Sequence, residues 1–163
     1  MRMYSHDGIR DALTQLAAPP LLYEELRREI ARASRGNEEI SLVRFVLAPV
    51  DLENSEERDS STSSYQETIV RFAHSLSRLS RDEDVCARIG EREFICLLHG
   101  RADAVSRYVA RIVSAWSEES VPRTGPTDGV EWRLDVASLG SQPGENALEL
   151  LNRLDLETLT SYE

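Results

Sequence analysis

The run ISLVRFVLAPV, Ile40 to Val50, constrains this chain more than any other stretch. It is rich in β-branched and apolar residues and reads as a central strand, and Pro49, which has no N–H to give to a ladder, forces its end. Upstream, Leu22, Leu26 and Ile30 recur at helical spacing, which predicts an amphipathic helix from about Pro20 to Ala33, started by Pro19-Pro20 and stopped by Gly36-Asn37. Downstream, DLENSEERDSSTSS is acidic, then serine-rich, and almost free of apolar residues, so residues 52–64 are expected to form a long flexible loop. Ile69, Phe72, Ala73, Leu76 and Leu79 then predict a second helix over Tyr65 to Leu79.

The stretch RDEDVCARIGEREF, Arg81 to Phe94, comes next. Two strand-like runs, DVCARI and EFICLL, join around Gly90 and Glu91, so a hairpin with a charged tip is expected. At that tip Arg88 and Glu93 are expected to form an exposed ion pair, worth about 0.2 to 1 kcal/mol. Val105, Val109, Ile112 and Val113 mark a third helix over Ala102 to Trp116, followed by the loop EESVPRTGPTDG. Val130 to Leu139 reads as a last strand, and Glu145 to Leu159 as a closing helical region that breaks near Asp155. This order of elements implies one sheet covered by helices.

Length and charge narrow the function. With 163 residues the chain is expected to be one domain over 1–163, with residues 1–10 as an N-terminal extension and enough core to fold without disulfides or metal. A formal net charge of −10 argues against broad binding to nucleic acid or to an anionic membrane, since both need massed cations. All 19 basic residues are Arg, which excludes a Schiff-base or P-loop lysine and leaves guanidinium groups to hold any phosphate. His6, His74 and His99 lack ligand spacing, and serine occurs without a nucleophile elbow, so metal binding and serine hydrolysis are not indicated. Cys86 and Cys96 fall in apolar strand-like runs, without a secretory signal or a membrane-length apolar run, and are expected to be two buried thiols of a reduced cytoplasmic protein.

The element order, the start DALTQL at Asp11 to Leu16, the strand ending PVD at Pro49 to Asp51, and ARIGEREF at Ala87 to Phe94 resemble the GGDEF domain of diguanylate cyclases. The resemblance runs from about Asp11 to Leu159. It implies an α+β, nucleotidyl-cyclase-like fold with a central, mostly antiparallel sheet flanked by helices. It also implies signalling through cyclic di-GMP, the bacterial second messenger that the family makes from two GTP molecules. The polar part of the family's opening motif is absent, with Gln15, Ala18, Pro19 and Pro20 in its place.

The family's chemistry needs divalent metal held by hard oxygen ligands from the first strand and the hairpin tip. The resemblance places Pro49 at the metal-binding Asp of the strand, leaving Asp51 two residues on, and Arg92 at the second metal carboxylate. A fixed cation there reverses the local field. Glu91 replaces the second glycine of the phosphate-binding turn, adding a side chain and a negative charge. Glu57 and Gln66 stand at the positions that read guanine, and Asn54 at the family's lysine. Together these residues predict a degenerate GGDEF domain without diguanylate cyclase activity, with no catalytic residue, metal or cofactor.

One family pattern is kept. Arg81 and Asp84 form an RxxD five residues ahead of Gly90, the register of the family's product-inhibition site, or I-site. An Arg fork suits phosphate oxygens or guanine O6 and N7, and an Asp accepts from guanine N–H groups. Arg111, or alternatively Arg107, is placed on the following helix as a further contact, although Ile112 holds the aligned position. Asp82 and Glu83 oppose this by adding negative charge.

Two function classes follow. One is a catalytically inactive receptor that binds cyclic di-GMP through Arg81, Asp84 and Arg111 and signals to a protein partner whose identity the residues do not reveal. The other is an interaction module, independent of nucleotide, that forms a homodimer or docks onto another signalling protein. The sensor domain common in the family is not seen in this chain, which reads as a stand-alone regulator or an excised domain.

Overall fold

The computed structural model describes residues 5–50, 63–119 and 131–162. In chain order the elements are α1 (Pro19–Gly36), β1 (Ile40–Pro49), α2 (Ser63–Leu79), β2 (Val85–Arg88), β3 (Glu93–His99), α3 (Ala102–Glu119), β4 (Trp132–Gly140), α4 (Ala147–Asp155) and β5 (Thr160–Tyr162). The strands form one sheet in the order β2-β3-β1-β4-β5, and every neighbouring pair is antiparallel. This is the α+β arrangement implied by the resemblance, with β1 in the centre.

Local chemistry explains most of the boundaries. Proline stands in the first turn of α1, where its missing N–H costs no hydrogen bond, and Asn37 closes that helix in a left-handed conformation (φ 54°), its N–H donating to the Ala33 carbonyl. Helix α4 opens on a capping box: the Asn146 side chain accepts from the Glu149 N–H at 2.8 Å, and the Glu149 carboxylate accepts from the Asn146 N–H at 3.3 Å. The helix stops at Asp155, at the break expected there, and residues 156–159 do not resume it. The chain then returns as β5 beside β4, pairing Leu134 with Tyr162 and Val136 with Thr160. Residues 130–139 are therefore not the last strand; a strand as short as Thr160–Tyr162 shows no alternation to find.

Because β1 is central, its alternate side chains serve two cores. Val43, Phe45 and Leu47 pack under α2 and α3 with Phe72, Phe94, Tyr108 and Trp116. Ile40 and Leu42 pack under α1 and α4 with Leu22, Leu26, Leu150 and Leu154. Edge-to-face contacts of the Phe72 ring with Phe45, Phe94 and Trp116, at 5.5, 5.1 and 6.0 Å between centroids, knit the first core.

The loop expected over 52–64, with Asn54 and Glu57, lies outside the described residues except at its end, where Ser63 and Ser64 already belong to α2. Asp51, residues 120–129 of the second expected loop and Val130, expected to open the following strand, also lie outside them. Glu118 and Glu119, expected in that loop, extend α3 instead.

Candidate functional site

The β2–β3 register decides where the hairpin's charges go. Cys86 pairs with Cys96 and Arg88 with Phe94, so Arg88 shares a face with Phe94, and its neighbour Glu93 takes the opposite face. The exposed Arg88–Glu93 pair expected from the sequence is therefore not formed. Arg88 is fully buried, and its guanidinium meets both carboxylate oxygens of Asp11, itself fully buried, at 3.1 and 3.3 Å. It also donates to the Glu91 carbonyl at 2.8 Å, which fixes the tip from inside. Asp11 in turn accepts from the Thr14 hydroxyl at 2.6 Å and the Thr14 N–H at 2.8 Å, so the DALT turn and the hairpin tip are one hydrogen-bonded unit. Glu93 pairs across the sheet with Arg44 at 3.3 Å.

The tip is also held to the central strand, the Leu47 N–H donating to the Arg92 carbonyl at 2.9 Å. This brings Arg92 next to the end of β1, where Pro49 pairs with Trp132 of β4. Neither Gly90 nor Glu91 has a positive φ, so the turn does not require glycine at either position. Gln66 sits partly exposed in the first turns of α2. Among the described residues, no three His, Cys, Asp or Glu side chains converge as metal ligands. The resemblance puts a divalent ion between the positions of Pro49 and Arg92, and a hydrocarbon ring and a cation do not fit an ion that takes anionic oxygen.

Arg81, Asp84, Arg107 and Arg111 do come together. They line a shallow depression of about 50 Å³ with Tyr108 and His99, between the turn before β2 and one face of α3. Its size means that a ligand lies on it rather than inside it. The contact joining Arg81 to Asp84 runs from the Arg81 backbone N–H to Asp84 Oδ2 at 2.9 Å, with the Asp84 N–H returning to the Arg81 carbonyl at 3.0 Å. These two bonds close the turn through backbone and the Asp84 carboxylate, and Arg81 itself stays exposed. One turn apart on α3, Arg107 reaches Asp103 at 3.8 Å, and Arg111 lies over the Tyr108 ring, 5.9 Å from its centroid. Ile112, at the aligned position, is buried in the core beneath.

Tyr108 and His99 were missed in the sequence. Tyr108 lies between Arg107 and Arg111 in helical spacing, which was a usable signal; His99 enters through strand pairing, which was not. The Tyr108 hydroxyl donates to Cys96 Sγ at 3.4 Å and lies 2.9 Å from Ser80 Oγ, and burial pushes its pKa far above the usual tyrosine value, so it stays protonated. His99 Nε2 meets Glu29 of α1 at 2.6 Å. A larger depression of about 630 Å³ lies between α3 and the β4–β5 edge, lined by Val109, Val113, Ala137 and Tyr162, and holds none of the candidate ligand-binding residues Arg81, Asp84, Arg107 and Arg111.

Comparison with known proteins agrees with this architecture. No curated protein matches the chain. Among solved structures, the GGDEF domain of DgcB from Caulobacter crescentus, in complex with c-di-GMP, superposes with a TM-score of 0.77 at 22% identity, over 95% of this chain and 88% of that one. Diguanylate cyclase SiaD from Pseudomonas aeruginosa, in complex with its activator SiaC, gives 0.72 at 24% identity over 90% of this chain and 55% of its own. The FimX GGDEF domain of Pseudomonas aeruginosa gives 0.70 at 16% identity, over 90% and 88%. The family model described as "Diguanylate cyclase, GGDEF domain" matches residues 8–160. With residues 8–160 of the chain matched, the chain belongs to the GGDEF family of diguanylate cyclase domains.

Proposed function

We propose that this domain is a catalytically silent member of its family that acts as a receptor for cyclic di-GMP through Arg81, Asp84 and Arg111. The observation that carries the reading is the convergence of these three side chains, with Arg107, on one exposed depression. Of the three guanidinium groups there, that of Arg107 is paired with Asp103, which leaves those of Arg81 and Arg111 to face a ligand, beside Asp82, Glu83 and Asp84, on a chain of net charge −10. Guanidinium forks take phosphate oxygens and guanine acceptors, and the Asp84 oxygen not held in the turn is free to accept from guanine N–H groups. That a relative is known in complex with c-di-GMP supports the ligand's identity. Silence is supported by Pro49 and Arg92 at the end of β1 and the hairpin tip, where metal-dependent attack on an α-phosphate needs anionic ligands.

Thermal melting with and without nucleotide tests the receptor. Cyclic di-GMP raises the melting temperature and GTP does not, because a ligand at 100 times its Kd stabilises the native state by about 2.7 kcal/mol. Arg81→Ala removes the shift and leaves the unliganded melt unchanged, since the side chain is exposed. No shift at saturating cyclic di-GMP overturns the reading in favour of an interaction module. Formation of cyclic di-GMP from GTP and Mg²⁺ by the purified protein overturns the silence.

A further inference from the structure

We propose that Cys86 and Cys96 are an oxidation site, a cross-strand thiol pair that a hydroperoxide converts reversibly to a disulfide beneath the Arg81–Asp84–Arg111 depression. The proposal rests on the hairpin's register and is independent of what the depression binds.

In β2 and β3 the Ile89 N–H donates to the Glu93 carbonyl, which makes 89/93 a hydrogen-bonded pair of the ladder. Counting back in twos along the register, 87/95 and 85/97 are of the same kind, so 88/94 and 86/96 are the non-hydrogen-bonded pairs. The outward bonds agree: the Cys86 carbonyl accepts from Ala17 N–H and the Arg88 N–H donates to the Ala17 carbonyl, both turned away from β3. At non-hydrogen-bonded pairs the Cα atoms approach to about 4.5 Å, inside the span of about 4.4 to 6.8 Å that a disulfide bridges. The two sulfurs are 3.3 Å apart, with Cys96 donating its S–H to Cys86, and both cysteines are free.

The surroundings divide the two roles. Cys86 is on the outer strand and partly exposed, so the expectation of two buried thiols holds for Cys96 alone. Cys86 also receives the Cys96 hydrogen bond, which favours its thiolate and lowers its pKa. Burial holds the Cys96 thiol protonated. Cys86 is thus the attacking sulfur and Cys96 the resolving one. The thiolate attacks one oxygen of ROOH; the O–O bond breaks, the departing oxygen takes a proton and leaves as ROH, and Cys86 becomes a sulfenic acid. Cys96 then displaces its hydroxyl as water, forming the S–S bond. In total two thiols and ROOH give one disulfide, ROH and H₂O, and two electrons pass from sulfur to the peroxide. Tyr108, which bonds Cys96 and carries Arg111 over its ring, links the pair to the depression.

Intact-mass analysis of the folded, reduced protein after hydrogen peroxide is the test. The expected product is a monomer about 2 Da lighter, with the Cys86 and Cys96 peptides joined, and dithiothreitol restores both thiols. In Cys96→Ser, peroxide leaves a sulfenic acid on Cys86 that a dimedone probe captures. Two unreacted thiols in the wild-type protein, oxygen addition without the mass loss, or a disulfide between two molecules would each overturn the proposal.

Discussion

A guanidinium without exposed surface needs its charge answered inside the protein, and Asp11 answers that of Arg88. Removing two ions from water costs several kcal/mol apiece, so the pair contributes little net stability while both partners stand, and a great deal is lost when one is removed. Arg88→Ala is expected to destabilise the domain by about 3 to 5 kcal/mol, because Asp11 remains as a buried carboxylate with no cation facing it. Urea denaturation checks this; a loss below about 1 kcal/mol would mean that water reaches Asp11. In the sequence, both residues were visible in motif positions, Asp11 in DALTQL and Arg88 in ARIGEREF, but their contact was not. It depends on which face Arg88 takes, and a one-residue choice of register sends the same side chain to solvent or to core. Arg81 and Asp84 were legible because their relation is local, a turn of four residues. Tyr108 and His99 reach the same depression from elements far along the chain.

At the scale of elements, α4 is fastened at both ends. Besides its capping box, Arg153 grips Glu145 with two bonds of 2.8 Å and the Gly140 carbonyl with one of 2.6 Å, tying the helix to the end of β4. The Arg153 guanidinium holds the Glu145 carboxyl below the usual glutamate range, and Arg133 does the same for Asp135. A carboxyl with a folded-state pKa below its unfolded one stabilises the fold above the unfolded value and loses that contribution as pH falls through the folded one. Glu145→Gln should therefore cost about 1 kcal/mol at pH 7, and the difference from wild type should shrink as the pH falls below the usual glutamate range. Denaturant midpoints measured across this range test the sign. Helices α1 and α3 were legible from periodicity, and the α1 ends from Pro19 and Asn37; β5 was not, since three residues hold no pattern and the strand exists only because β4 offers an edge.

For the whole molecule, β1 is the shared wall of two cores, so neither can melt while the other keeps its sheet. Leu42→Ala on the α1–α4 side is expected to cost about 2 to 5 kcal/mol and Phe45→Ala on the α2–α3 side about 3 to 5. Both should shift one common transition, with tryptophan fluorescence and far-ultraviolet circular dichroism falling together. A second transition in either variant would show that the faces unfold separately. That central strand was legible because ISLVRFVLAPV has no polar face to offer solvent, and a sheet order with β1 in the middle follows from it. Beyond α1, the opening segment has one more consequence. Ala17 bonds to both Cys86 and Arg88 along the outer side of β2, the side of the sheet that faces no other strand. Free backbone donors and acceptors on such a margin are a template for a foreign strand, and Ala17 occupies one of each, the Arg88 N–H and the Cys86 carbonyl. The few residues before the first helix thus act as a stopper against fibril-like stacking of one copy on another.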